Sequence, residues 1–408
     1  MNVRNVIVVC DYGYVEGGAA RIACETALAL SARGLKVTFF CAVGPVSEEL
    51  KNSTVDVCCL EQKDILQEKN RFKGVLRGLS NRKAKNTFNH LLKKFDPQNT
   101  VIHVHTWTKG VSSVIFKVAQ KNRFKVFITV HDYFLICPNG GLFNYKKSKI
   151  CEYKPMSIKC ITCNCDARSY SHKVFRVLRQ KRQNRNVRRN KNISYIFISD
   201  FSKREFLKRY NEIPQENQFF LSNMISFPTE RERVVCENNN TYLFIGGITE
   251  VKGIRFFCKA VTQARVNASV IGQGILKKEL EDQYPNIDFI GWKTKEEMIP
   301  YLNQTRCLVF PSIWYECSPL TPLEVMSMGI PVICSDLNAA SEQLKDGKDG
   351  LIFNGNDVND LVKVLEQSGN DELIARLSKE AFKSFNDRDF SQDKYVCDLI
   401  SIFEGNND

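Results

Sequence analysis

Short apolar runs alternate with longer amphipathic stretches throughout this 408-residue chain, and that rhythm constrains its fold more than any single motif. In the first half "VIVVC", "KVTFF", "VIHVH", "KVFITV" and "YIFIS" read as buried strands, with helical segments such as "ARIACETALALSARG" between them. The second half repeats the scheme with "YLFIG", "ASVIG", "IDFIG", "CLVFP" and "PVICS". Strands that alternate with helices cannot pair as hairpins, so each half predicts a doubly wound parallel α/β sheet. Between the halves "NMISFPTERERVVCENNN" is polar and carries Pro228. The expected division is a first domain over 1–225, a second over 226–388, and a C-terminal helix in 389–408 that packs back toward the first. Two such sheets end to end leave a cleft between their strand tips, where ligands of open α/β sheets bind.

A chain of this length can bury two cores. Its 43% hydrophobic and 25% charged residues are ordinary for a globular protein. No apolar stretch approaches the roughly 18 residues of a membrane span, and "MNVRNVIVVC" leads directly into strand pattern. These features lead us to expect a cytoplasmic protein. Most of the sixteen cysteines stand singly in apolar runs, as reduced thiols do.

The net charge of +13 is divided unevenly. Residues 1–225 hold 39 Lys and Arg against 17 Asp and Glu, hence +22; the remainder holds 19 against 28, hence −9. The stretch Arg168 to Lys191 has ten basic residues and no acid, and Lys63 to Lys94 has ten against two. Arg176, Arg179, Arg182 and Arg185 recur at three-residue spacing, which predicts a cationic row along one helix side, with Val174, Phe175, Val177 and Leu178 as its apolar side. Anionic lipid headgroups or a polyphosphate substrate fit this charge. Nucleic acid is disfavoured, because no helix-turn-helix, stacking platform or finger accompanies it.

The segment "WYECSPLTPLEVMSMGIPVICSD", residues 314–336, carries Glu316 before a helix and Glu324 inside it. Thr321 suits the N-cap, Pro322 the first helical position, and Glu324 the third, so a capping box is expected. The free amides of that helix start offer a place for a phosphate between the two acids.

In register along nearly the whole chain, "EGGAARIACETALALSARGLKVTFF", "TVIHVHTW", "TVHDYFLICP", "YIFISDFSKREFL", "YLFIGGITEVKG" and the Glu316/Glu324 pair resemble the motifs of family 4 glycosyltransferases. The resemblance implies a GT-B fold, in which two Rossmann-like domains face a central cleft, the first binding the acceptor and the second a nucleotide sugar. It implies a retaining glycosyltransferase, acting on a glycan or lipid-linked acceptor in polysaccharide assembly, with no cofactor required for catalysis. A sugar-nucleotide epimerase and a non-catalytic sugar-nucleotide-binding protein are the alternatives on this fold. By resemblance, His131 and Glu316 stand at the donor sugar as catalytic residues, Glu324 holds the ribose, and Lys252 neutralises the diphosphate. Gly17 and Gly18 approach the phosphates, and the backbone of Ser318, Pro319, Leu320 and Thr321 completes their cradle. Trp292 lies in the nucleobase loop. Gly247 occupies a donor-site position where many members have arginine, which leaves Lys252 without its usual partner unless another cation, such as Arg255, replaces it.

Two further expectations concern the first half. Cys137, Cys151, Cys160 and Cys163, with Cys165 as substitute, crowd a polar loop, and the C-x-x-C spacing of Cys160 and Cys163 is suited to a structural zinc ion. Arg176, Arg179, Arg182 and Arg185 are expected to meet the inner face of an anionic membrane, making the protein peripheral there and bringing it to a lipid-carried acceptor.

Overall fold

The computed structural model describes residues 1–188, 190–225 and 232–405. The expected boundary after residue 225 abuts 226–231, which lie outside the described residues, as do Arg189 and the last three positions of 389–408.

The first half builds a seven-stranded sheet from β1 (Asn5–Tyr12), β2 (Lys36–Val43), β3 (Asp56–Gln62), β4 (Thr100–Val104), β5 (Lys125–Val130), β6 (Ile193–Phe197) and β7 (Gln218–Phe220). Their order is β3-β2-β1-β4-β5-β6-β7, and every pair is parallel. The second half builds a six-stranded parallel sheet from β8 (Thr241–Ile245), β9 (Asn267–Ile271), β10 (Ile287–Gly291), β11 (Thr305–Phe310), β12 (Val332–Ser335) and β13 (Gly350–Phe353), in the order β10-β9-β8-β11-β12-β13. Each order reverses once, between β1 and β4 and between β8 and β11, and these reversals open the crevices used for ligands. All ten strands read from apolar runs are present. β3, β7 and β13 have no counterpart among those runs, because "DVCCLEQ" mixes acids with its apolar residues and the other two span only three and four residues.

Burial on both faces explains the unbroken apolar runs. Along β1, Val6, Val8 and Cys10 enter one core while Ile7 and Val9 enter the other. The first of these cores is closed from the far end of the chain. Helix Gln392–Glu404 contributes Tyr395, Val396, Leu399, Ile402 and Phe403 to it, and the Tyr395 hydroxyl shares a hydrogen bond with Thr26.

Candidate active site

A cavity of about 530 Å³ lies between the two halves, at the carboxyl ends of both sheets. It is lined by Gly17, Gly18, His131, Lys252, Trp292, Glu316, Ser318, Pro319, Leu320, Thr321 and Glu324. These are all the residues expected at the cleft except Gly247, whose neighbour Gly246 lines the wall instead. A Cβ added to Gly247 would meet nothing within 4 Å, so packing does not forbid a longer side chain there.

On the second-half wall, Lys252 Nζ lies 2.5 Å from Glu316 Oε1. That oxygen also accepts from Ser312 Oγ at 2.8 Å and Trp314 Nε1 at 2.7 Å, and the Lys252 ammonium stands 5.8 Å from the Trp314 ring centre. Three donors thus converge on one oxygen of Glu316. The lysine arrives on a tight turn that ends at Gly253, in the left-handed region at φ 70°. A Cβ at Gly253 would sit 1.8 Å from the Pro311 carbonyl oxygen, so only glycine brings this turn against the end of β11.

Glu324 is held differently. Arg21, in helix Gly18–Ala32 of the first half, donates to Glu324 Oε1 at 2.8 Å, and Lys295 Nζ lies 3.7 Å away. Burial, together with the Arg21 charge, pulls the Lys295 ammonium below the ordinary lysine range. The capping box is therefore corrected. Helix Leu320–Met326 starts one residue before Thr321, with Pro319 at its N-cap and no side-chain cap, while Glu324 turns to the cations. A charge-assisted bond to a guanidinium is about twice as strong as a neutral one. Arg255 is no substitute for the missing arginine, since its guanidinium is engaged by Glu250 at 3.0 Å and Glu279 at 2.7 Å.

Beside Arg21, the first-half wall carries a cluster of histidines. His131 Nε2 and His105 Nδ1 share a hydrogen bond at 2.8 Å, and His103 below them bonds Thr129 Oγ1 at 2.7 Å. Burial lowers all three imidazoles, His131 to about 4 and His103 to about 3, so they are uncharged at neutral pH. Burial acts oppositely on Asp132, whose carboxyl is pushed up to about 6. A smaller cavity of about 190 Å³, lined by His105, Lys109, Asp132 and Phe134 among others, shares Ala19 with the main one.

Two expectations for the first half fail. The four arginines do not form one exposed row, because three-residue steps fall short of the 3.6-residue turn and rotate about 60° each. On helix Tyr170–Val187, Arg176 pairs with buried Asp166 at 3.0 Å, and buried Arg179 donates to the Thr108 carbonyl at 3.1 Å. Arg182 and Arg185 are exposed, as are Val174 and Leu178. Nor do Cys137, Cys151, Cys160 and Cys163 assemble a ligand set, since among the described residues no three Cys, His, Asp or Glu side chains are placed to hold a metal ion. The Lys173 ammonium stands among these thiols instead, 3.3 Å from Cys165 Sγ and 3.8 Å from Cys160 Sγ.

Sequence reasoning passed over Arg21, His105, Ser312 and Trp314, although each stands inside a quoted motif or within four residues of a chosen site residue. Only folding brings Arg21 to Glu324, 303 positions away.

Known proteins resemble the chain at this site and across its fold. Residues 239–371 match the family described as glycosyl transferases group 1. An uncharacterised glycosyltransferase of Methanocaldococcus jannaschii is 30% identical over 171 residues, 40% of this chain and 48% of that protein. The Escherichia coli UDP-Gal:alpha-D-GlcNAc-diphosphoundecaprenol alpha-1,3-galactosyltransferase is 25% identical over 165 residues, 36% of this chain and 42% of that one. The matches thus span about half the length of these curated relatives, or less. The solved structure of Anabaena HepE in complex with UDP and glucose superposes with a TM-score of 0.69 at 14% identity, covering 98% of this chain and 99% of that one. With parallel sheets in both halves and a match to such structures over nearly its whole length, the chain has the α/β architecture of GT-B glycosyltransferases.

Proposed function

We propose that this protein is a retaining glycosyltransferase, which moves a sugar from a nucleoside diphosphate to a hydroxyl of a glycan or lipid-linked acceptor, in polysaccharide assembly. The observation that carries the reading is the cavity itself, where Lys252, Glu316 and Glu324 from one sheet face Gly17, Gly18 and His131 from the other. The similarity to a galactosyltransferase named for a diphosphoundecaprenol acceptor supports the acceptor class.

In this reading the donor's ribose takes Glu324, its diphosphate lies on the start of helix Leu320–Met326, and Trp292, 65% exposed, stands at the nucleobase. The acceptor oxygen forms a bond to the anomeric carbon as the bond from that carbon to the diphosphate oxygen breaks, on the same face. The departing phosphate takes the acceptor's proton. Lys252 stabilises the charge that develops there. Arg21 supplies the second cation that Gly247 cannot: with Nε kept on Glu25 at 3.0 Å, its guanidinium turns the edge that ribose binding at Glu324 vacates toward the phosphates, one helical turn from Gly17 and Gly18. Neutral His131, oriented by His105, offers a hydrogen bond to the donor sugar without adding charge. Glu316, held by three donors, stabilises positive charge at the sugar ring. The scheme calls on no cofactor, and it works at the inner face of a membrane when the acceptor is lipid-carried.

A panel of nucleotide sugars in a thermal-shift assay tests this. A true donor at 100 times its dissociation constant adds about 2.7 kcal/mol of stability. If no nucleotide or nucleotide sugar raises the melting temperature, the reading falls.

A further inference from the structure

Among the described residues, exposed large apolar side chains are concentrated in the basic first half, and six of them, counting Tyr170, belong to two neighbouring helices. Helix Arg71–Leu79 presents Phe72, Val75 and Leu76, spaced as one helical face, with Phe72 73% and Leu76 52% exposed. Helix Tyr170–Val187 presents Val174 and Leu178, the latter 51% exposed. The two helices touch where the Phe175 ring lies over Gly78, since a Cβ at that glycine would stand 2.6 Å from Phe175 Cζ. The two basic stretches, about a hundred residues apart in sequence, therefore join in space.

The surround of this apolar crest is cationic. Lys63, Lys69, Arg71 and Lys73 are exposed on one side, Lys181 and Arg182 on the other. The acids within the first stretch are already committed. Glu68 pairs with Arg77 at 3.0 Å, and Asp64 is buried on the Tyr12 hydroxyl.

We propose that this two-helix crest is a membrane-docking surface, inserting Phe72 and Leu76 among the acyl chains of an anionic bilayer while the surrounding lysines and arginines meet the headgroups. An amphipathic surface with aromatic and aliphatic tips in a basic frame suits the interface plane of a membrane. It suits a second copy of this chain poorly, because a two-fold contact would set basic rim against basic rim. Insertion replaces the row of four arginines as the source of membrane affinity, since Arg176 and Arg179 are turned inward.

The crest is also positioned for the reaction proposed above, on which its role in delivering an acceptor rests. On its inner side Arg179 donates to Thr108 and stacks 5.0 Å over Phe134, and both residues line the small cavity of His105 and Asp132. That small cavity adjoins the cleft at Ala19, so an acceptor sugar carried to this face is brought beside the donor site.

Co-sedimentation of the full chain with phosphatidylcholine vesicles, alone or mixed with phosphatidylglycerol, tests the surface. Binding is expected to the mixed vesicles, weakened by high salt. Phe72→Ser with Leu76→Ser lowers the vesicle partition coefficient at least tenfold, and Lys69, Arg71 and Lys73 changed together to Gln lowers it on the mixed vesicles only. Unchanged partitioning of the Phe72/Leu76 variant overturns the proposal, as does absence of binding to both vesicles. So does sedimentation velocity showing a dimer that the same variant dissociates. Both variants change exposed positions, and an unaltered nucleotide-sugar thermal shift in each verifies the fold. Vesicle binding without any nucleotide-sugar shift would leave the surface standing and remove the transferase.

Discussion

The two glutamates of the cleft are eight positions apart and meet the same cavity, yet they are held in opposite ways. Glu316 is clamped within its own half, by Lys252, Ser312 and Trp314. Glu324 is held across the cleft, by Arg21 of the other half and by Lys295. The first arrangement is organised before any ligand arrives, as charge stabilisation in a transition state requires. The second couples ligand binding to the relative position of the two halves, because whatever takes Glu324 displaces a bond between them.

The largest effects should come from the clamped pair. Lys252→Ala is predicted to lower turnover about a hundredfold, the usual cost of one lost donor to a developing negative charge. Glu316→Ala should reduce kcat more than it weakens donor affinity. Steady-state kinetics beside donor titration checks both, and normal turnover in the two variants would falsify the assignment.

Breaking the bridged pair should act on affinity. Glu324→Ala is expected to weaken donor binding about tenfold, by loss of charge-assisted hydrogen bonds worth roughly 1.5 to 3 kcal/mol. Arg21→Ala is expected to lower kcat/KM by a similar factor. An Arg21→Ala enzyme with unchanged kinetics would leave Gly247 without a substitute cation and return Arg21 to a purely structural bond.

The buried histidines and Asp132 of the first half have their own signature in pH. His131 and His103 have folded values near 4 and 3, below their ordinary 6.5, so the stability gained by keeping them neutral is complete above 6.5 and is lost as pH falls through those values. Asp132 works the other way: with a folded value near 6 against 3.8, its contribution is full below 3.8 and lost as pH rises through 6. Histidines outnumber the acid, so melting temperature should fall from about pH 6.5 toward pH 4, with each histidine contributing at most about 1.4 kcal/mol per pH unit. His103→Gln should flatten that acid limb, and an unchanged limb would show that His103 is not charged on unfolding. The smallest effect belongs to Arg255→Ala, which should alter kcat/KM by less than about twofold, because its partners Glu250 and Glu279 lie outside the cavity.

The fold was legible because its physics is local and repeated: runs such as "VIVVC" are apolar at every position only when both sheet faces are covered. The cleft residues were legible through motifs that follow strand ends, as with His131 after β5 and Glu316 after β11. Relations across distance were not. Nothing near Thr321 announces that Glu324 prefers a guanidinium from residue 21 to the amide of its own helix. The arginine row failed for a different reason, since a spacing of three looks like one helix face until its drift of about 60° per step is followed for four residues.

The C-terminal helix carries a consequence for how the protein is made. Its Tyr395, Leu399 and Phe403 fill a core shared with β1, β2, β4, β5, β6 and helix Gly18–Ala32. On a ribosome adding about 5 to 20 residues per second, the first half is fully synthesised roughly 9 to 35 seconds before those side chains exist. During that interval the part of this core that the C-terminal helix covers stays open. The first half thus emerges first and finishes last, and its dependence on a chaperone at that stage should exceed that of the second half, whose own core closes within residues 225–390.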